Sequence, residues 1–261
     1  MKPLRHILVP VNFTLCAKNA VRFGRAFAEQ TGATLSLLYV HDGDLPSPDE
    51  RRQMTAWKEE LLDEMRAPYQ LHFRGGKVVQ AICEVAEAYQ ADVLFMGTTG
   101  IHQPSMVLGS LTWQVMVEAP CPVLAIPQEA RMEAIQKVGF MSDLSAIEKP
   151  QSLYPLFFLA DLFSAELHIV NVKKRAAGIS SEKTQAALAL EHELEDIPHC
   201  FHIIEDQDLV HAARTFVQQY DIDLLAIMPR KHTDLEQLFA GKLTQQLALH
   251  LETPLLAFHE A

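Results

Sequence analysis

Basic residues are scarce in this chain of 261 residues: Lys and Arg total 22 against 33 Asp and Glu, a formal net charge of −11. A deficit of that size argues against a nucleic-acid or anionic-membrane partner, because both surfaces need a basic footprint. Long apolar runs are also missing. A membrane span takes about 20 consecutive apolar residues, and the best candidate, Leu153 to Phe163, is far shorter and contains Asp161. The four cysteines (Cys16, Cys83, Cys121 and Cys200) form no CxxC pair. The opening MKPLRHILVPV has too short an apolar run for a secretion signal, so the expectation is a cytoplasmic protein with reduced, structural thiols. Nor is there a GxSxG elbow, an HExxH helix or a Walker loop in the sequence, which removes the common motifs of hydrolases and P-loop enzymes.

What the chain does have is an internal repeat at a separation of about 131 residues, the kind of signal to seek before any other. VVQAICEVAEAYQADVLFMG (Val78 to Gly97) lies over LVHAARTFVQQYDIDLLAIM (Leu209 to Met228), with Tyr89 on Tyr220 and Asp92 on Asp223. ATLSLLYV lies over AELHIVNV, and LGSLTWQVMVEAPCPVLAI over AGKLTQQLALHLETPLLAF. The polar stretch after Pro127 marks the boundary, giving domains 1–128 and 133–261. Hydrophobic residues make up 49% and charged residues 21%, ordinary values for globular domains.

Within each copy, continuous apolar runs such as HILVPV read as strands covered on both faces of a parallel sheet. Helical patterns alternate with them: about Leu15 to Gln30, Pro48 to Arg66, Lys77 to Gln90 and Ser110 to Glu118. Gly32 stands where the first helix would end on a left-handed residue. The pattern predicts two tandem α/β domains, each a doubly wound parallel sheet of about five strands. In such folds ligands sit beyond the carboxyl ends of the strands at the topological switch point. That directs attention to Pro10 to Thr14, Val40 to Asp42 and Met96 to Gly100.

A glycine loop follows the fourth strand: MGTTGIHQPSMVLGS carries Gly97, Gly100 and Gly109, then Ser110. Glycines at 97 and 100 let backbone approach a ligand, and the expected helix start at Gly109 and Ser110 would offer free N–H groups and a positive dipole end to phosphate. The same glycines also suit a tight strand-to-helix turn. ILVPVN, the MG-x2-G…GS loop and the closing APCPVLAIP together resemble the universal stress protein family, across essentially the whole chain as two tandem copies. That resemblance implies the adenine nucleotide alpha hydrolase-like fold and ATP or AMP as ligand, with magnesium as companion ion. By position it puts Pro10, Val11, Asn12 and Val40 around base and sugar, and Met96, Gly97, Gly100, Gly109, Ser110 and Leu111 around ribose and phosphates. Eight residues separate Gly100 from Gly109 where the family loop has nine, and Asn12 stands where the family has an acid.

The second copy has Met228 and Lys231 where the first has Gly97 and Gly100, and Lys242 in place of Ser110, while Gly241 remains. Asp143 restores the acid after the first strand. The expectation is that any nucleotide binds the first copy. Arg230, Lys231 and Lys242 could attract an anion, though surface lysines are usually only solvated. Pairing of the final strands PVLAI and PLLAF would make an intramolecular pseudo-dimer, and the resemblance admits a homodimer. His199, Cys200 and His202 cluster in sequence, but alternation along a strand sends His199 and His202 to opposite faces, so no structural metal is expected. The functional expectation is a stress-response protein with a regulatory adenine nucleotide and unidentified protein partners. The alternative is an interaction scaffold of the same fold without nucleotide. With no general base beside the loop, an enzymatic role is at most a slow ATPase.

Overall fold

The computed structural model describes residues 4–98, 106–132, 135–142, 150–173, 181–228 and 253–259. Two compact units divide the chain, Lys2–Ala130 and Arg131–Ala261. The first runs β1 (His6–Val11), α1 (Leu15–Thr31), β2 (Thr34–His41), α2 (Pro48–Leu61), β3 (Tyr69–Gly75), α3 (Val78–Ala88), β4 (Val93–Thr98), α4 (Met106–Glu118) and β5 (Val123–Pro127). Its strands pair in parallel in the order β3-β2-β1-β4-β5. Ile7, Leu8 and Val9 are consecutive and all buried, as a strand with helices on both faces requires. Phe27 of α1 meets Phe95 of β4 edge to face, with centroids 4.9 Å apart.

Local signals set the helix ends. Thr14 caps α1 by accepting a hydrogen bond from the Ala17 N–H, and Gly32 ends it at a left-handed φ of 74°. Ser47 and Glu50 form a reciprocal capping box at the start of α2, where Pro48 takes the first position. The charged pattern extends that helix to Arg66, yet it stops at Leu61. Leu61 and Leu62 are both buried, and Glu64 then adopts a φ of 59°, which turns the chain toward β3.

The second unit runs β6 (Lys137–Met141), a 3-10 turn (Pro150–Leu153), α5 (Tyr154–Phe163), β7 (Glu166–Lys173), α6 (Ser181–Glu193), β8 (His199–Glu205), α7 (Leu209–Tyr220), β9 (Leu224–Ile227) and β10 (Leu255–Ala257). Its parallel order is β8-β7-β6-β9-β10, the same sequence of positions as in the first unit. The repeat extends to individual hydrogen bonds. Asp92 Oδ2 accepts from the N–H groups of Arg5 and His6 at 2.8 and 2.9 Å. Asp223 Oδ2 accepts from Gln136 and Lys137 at the same 2.8 and 2.9 Å. His6 Nδ1 lies 2.9 Å from the Tyr89 carbonyl, and Lys137 Nζ donates to the Tyr220 carbonyl at 3.0 Å.

Candidate functional site

In the first unit, chain order proceeds outward from β1 through β2 to β3, then returns to the other side of β1 with β4 and β5. The switch point is therefore the gap between the carboxyl ends of β1 and β4, which pair at Ile7 with Val93 and Leu8 with Leu94. Pro10 and Val11 end β1, Val40 is the next-to-last residue of β2, and Met96 and Gly97 lie near the end of β4. Val11 and Met96 are buried, Pro10 and Val40 half-buried, and Asn12 is exposed.

The turn leaving β1 is held by side chains. Asn12 Oδ1 accepts from the Thr14 hydroxyl at 2.7 Å and from its N–H at 3.4 Å. That occupies the amide oxygen of Asn12 in the turn and leaves its NH2 as the group it can offer a ligand. Phe13, between them, has a φ of 58°, a conformation that costs a bulky residue about 1–2 kcal/mol. Its ring stacks on Tyr39 at 4.8 Å and meets Trp57 edge-on at 5.3 Å, contacts that offset the strain. Tyr39 in turn donates to Glu50 Oε1 at 2.8 Å. Burial first, and then this acidic partner, push the Tyr39 phenol up to about 12.

Gly97 has a specific steric reason. A Cβ there would lie 2.4 Å from the Cys16 carbonyl carbon and oxygen and 2.6 Å from the Ala17 nitrogen. The close backbone approach at this glycine is made by the first turn of α1, not by empty space held for a ligand. One residue on, Thr98 is buried and its Oγ1 has no hydrogen-bond partner among the described residues.

The helix after the glycine loop starts earlier than its sequence suggests. α4 begins at Met106, so Gly109 and Ser110 lie inside it and not ahead of it. The N–H groups a helix leaves free are those of its cap and its first three residues, which end at Leu108. Leu111 is half-buried on the same helix. Gly100 lies outside the described residues, as do Asp143, Arg230, Lys231, Gly241 and Lys242 of the second copy.

In the second unit, Met228 follows Asp223 by five residues, as Gly97 follows Asp92. It is buried, with 8% of its surface exposed, so a side chain fills the position at which the first unit admits α1. The helix α5 that follows β6 has 10 residues, Tyr154–Phe163, against 17 in α1.

A parallel α/β unit of strand order 3-2-1-4-5, with a glycine loop following its fourth strand, is the class these features define. Residues 3–127 match the model of the Universal stress protein family, so the first unit is similar to that family. A Thermus aquaticus protein described as a universal stress protein in the QAH/OAS sulfhydrylase 3' region is 29% identical over 126 residues, 42% of this chain and 89% of its own length. Among solved structures, a universal stress protein from Archaeoglobus fulgidus covers 100% of both chains at a TM-score of 0.75 and 17% identity. A putative universal stress protein from Pseudomonas aeruginosa covers 98% of this chain and 93% of its own, with a TM-score of 0.71 and 18% identity. At those identities the likeness concerns the fold.

Proposed function

We propose that the first unit binds an adenine nucleotide, ATP or AMP, as the regulatory ligand of a stress-response protein. The observation that carries this reading is the switch point between the carboxyl ends of β1 and β4, the place where open parallel sheets take their ligands, with the glycine-bearing stretch next in the sequence after β4. Pro10, Val11, Asn12 and Val40 would border base and sugar. Met96, Gly97, Gly100, Gly109, Ser110 and Leu111 would border ribose and phosphates. Two local features fit a polar ligand. The Thr98 hydroxyl has no hydrogen-bond partner among the described residues, and the first turn of α4 leaves N–H groups that favour phosphate. Magnesium would supply charge neutralisation to ATP.

The second unit carries Met228 where the first has Gly97, which favours one nucleotide per chain. Cytoplasmic residence belongs to the same proposal: all four cysteines are free thiols, as a reducing compartment keeps them. No described helix is long and apolar enough to cross a membrane.

The test is to denature the purified full chain and assay the supernatant for adenine nucleotide, then titrate ATP and AMP into wild type and Gly109→Val by calorimetry. Saturable binding in wild type, lost in a Gly109→Val protein with unchanged circular dichroism, is the expected result. Absence of binding in wild type would leave the scaffold reading in its place.

A further inference from the structure

Alternation along β8 separates His199 from His202, as the sequence implies, but it also puts Cys200 and His202 on one face. His199 turns away, its Nδ1 2.8 Å from the Ile197 carbonyl. The third member comes from the neighbouring strand: parallel register pairs His168 of β7 with Cys200 and Val170 with His202. Three donor atoms then meet. His168 Nδ1 is 3.0 Å from His202 Nε2, and Cys200 Sγ is 3.4 Å from the first and 3.2 Å from the second.

Those separations have a chemical meaning. Four-coordinate zinc, with Zn–N of about 2.0–2.1 Å and Zn–S of about 2.3 Å, spaces its ligand atoms about 3.3–3.6 Å apart. The present triangle needs only small ring and thiol rotations to reach that spacing. We propose that His168, Cys200 and His202 bind a borderline-soft divalent metal ion, zinc foremost, with the fourth position open to water.

Two further observations support it. His168 is buried, and its other nitrogen, Nε2, has no hydrogen-bond partner among the described residues. Glu166 Oε2 lies 3.6 Å from that Nε2, in the place of the carboxylate that commonly orients a metal-binding histidine from behind. With the proton on Nε2, Nδ1 presents its lone pair to the other two donors.

The second observation is the first unit, which serves as an internal comparison. There the equivalent strands bring Ser36 opposite Gln70, two residues before His72. The Ser36 hydroxyl lies 2.7 Å from His6 Nε2 and 3.1 Å from His72 Nε2. The fold is therefore satisfied by a serine and a glutamine at the positions where the second unit has His168 and Cys200. A nitrogen and a sulfur donor are not a requirement of packing.

Binding then balances simply: the metal displaces one proton from the Cys200 thiol to solvent, and the proton of His202 resides on Nδ1 while Nε2 ligates. Nitrogen and thiolate donors disfavour magnesium and calcium, which prefer all-oxygen shells.

The full chain, stripped with chelator and titrated with cobalt(II), tests this directly. The expected result is one cobalt per chain with a thiolate-to-metal charge-transfer band. That band is lost in Cys200→Ser and retained in Cys83→Ser. Glu166→Gln should weaken binding about 10–100-fold. A second measurement needs no variant: zinc should slow alkylation of Cys200 in wild type at least tenfold, mapped by peptide, while millimolar magnesium leaves it unchanged. Cobalt bound without the thiolate band, or zinc without effect on Cys200 alkylation, would overturn the assignment.

Discussion

A single methyl group separates two readings of Gly97. Its added Cβ would fall 2.4 Å from the Cys16 backbone, so Gly97→Ala should destabilise the first unit by about 1–3 kcal/mol, the usual cost of overpacking, before any ligand is considered. Denaturant unfolding with nucleotide removed checks this. An unchanged midpoint would mean that α1 yields easily. Tyr39 permits a pH prediction with a definite sign. Its folded pKa of about 12 exceeds the unfolded value of about 10, so the folded state holds the proton more tightly. The stability this confers is complete below about pH 10 and is lost as pH rises toward about 12. Alkaline unfolding of wild type should therefore be steeper than that of Tyr39→Phe, and parallel profiles would contradict the raised pKa of the Tyr39 phenol. At this scale the sequence does not show what each residue touches. Gly97 reads as a loop glycine in a sequence, because its neighbour in space, Cys16, lies in another element.

Among the elements, the repeat supplies its own control for capping. Asp208 caps α7, its Oδ1 accepting from Val210 and His211 N–H groups at 2.8 and 3.1 Å. Lys77 holds the corresponding place before α3 and makes no side-chain cap bond. Asp208→Ala should cost about 1 kcal/mol, and Lys77→Asp should gain a comparable amount; chemical denaturation of both variants decides, and shifts of the same sign would refute the comparison. Strand positions were legible because buried parallel strands spell continuous apolar runs, as HILVPV and PVLAI do. The end of α1 was legible because Gly32 is a chemical stop signal, and it takes the left-handed φ expected of one. The start of α4 was not. The glycine at 109 suggests a boundary, but the apolar Met106, Val107 and Leu108 ahead of it continue the helix, and no Ser, Thr, Asp or Asn immediately precedes a helix start at Gly109.

For the whole molecule, the consequence of the repeat is asymmetry between two units of the same topology. Asp92 and Asp223 anchor their sheets with matching bonds, while Gly97 and Met228 differ at the ends of the equivalent strands β4 and β9. Ser36 and His168 differ likewise where each sheet gathers its histidines. The first asymmetry could be read from aligned copies. The second could not, because the pairing of His168 with Cys200 depends on the register of two strands that are separated by 32 positions in the chain. The nucleotide site we propose lies in the first unit alone. Calorimetric titration of ATP into the nucleotide-free full chain measures this as a stoichiometry. One nucleotide per chain is predicted; two per chain, or none, would contradict it.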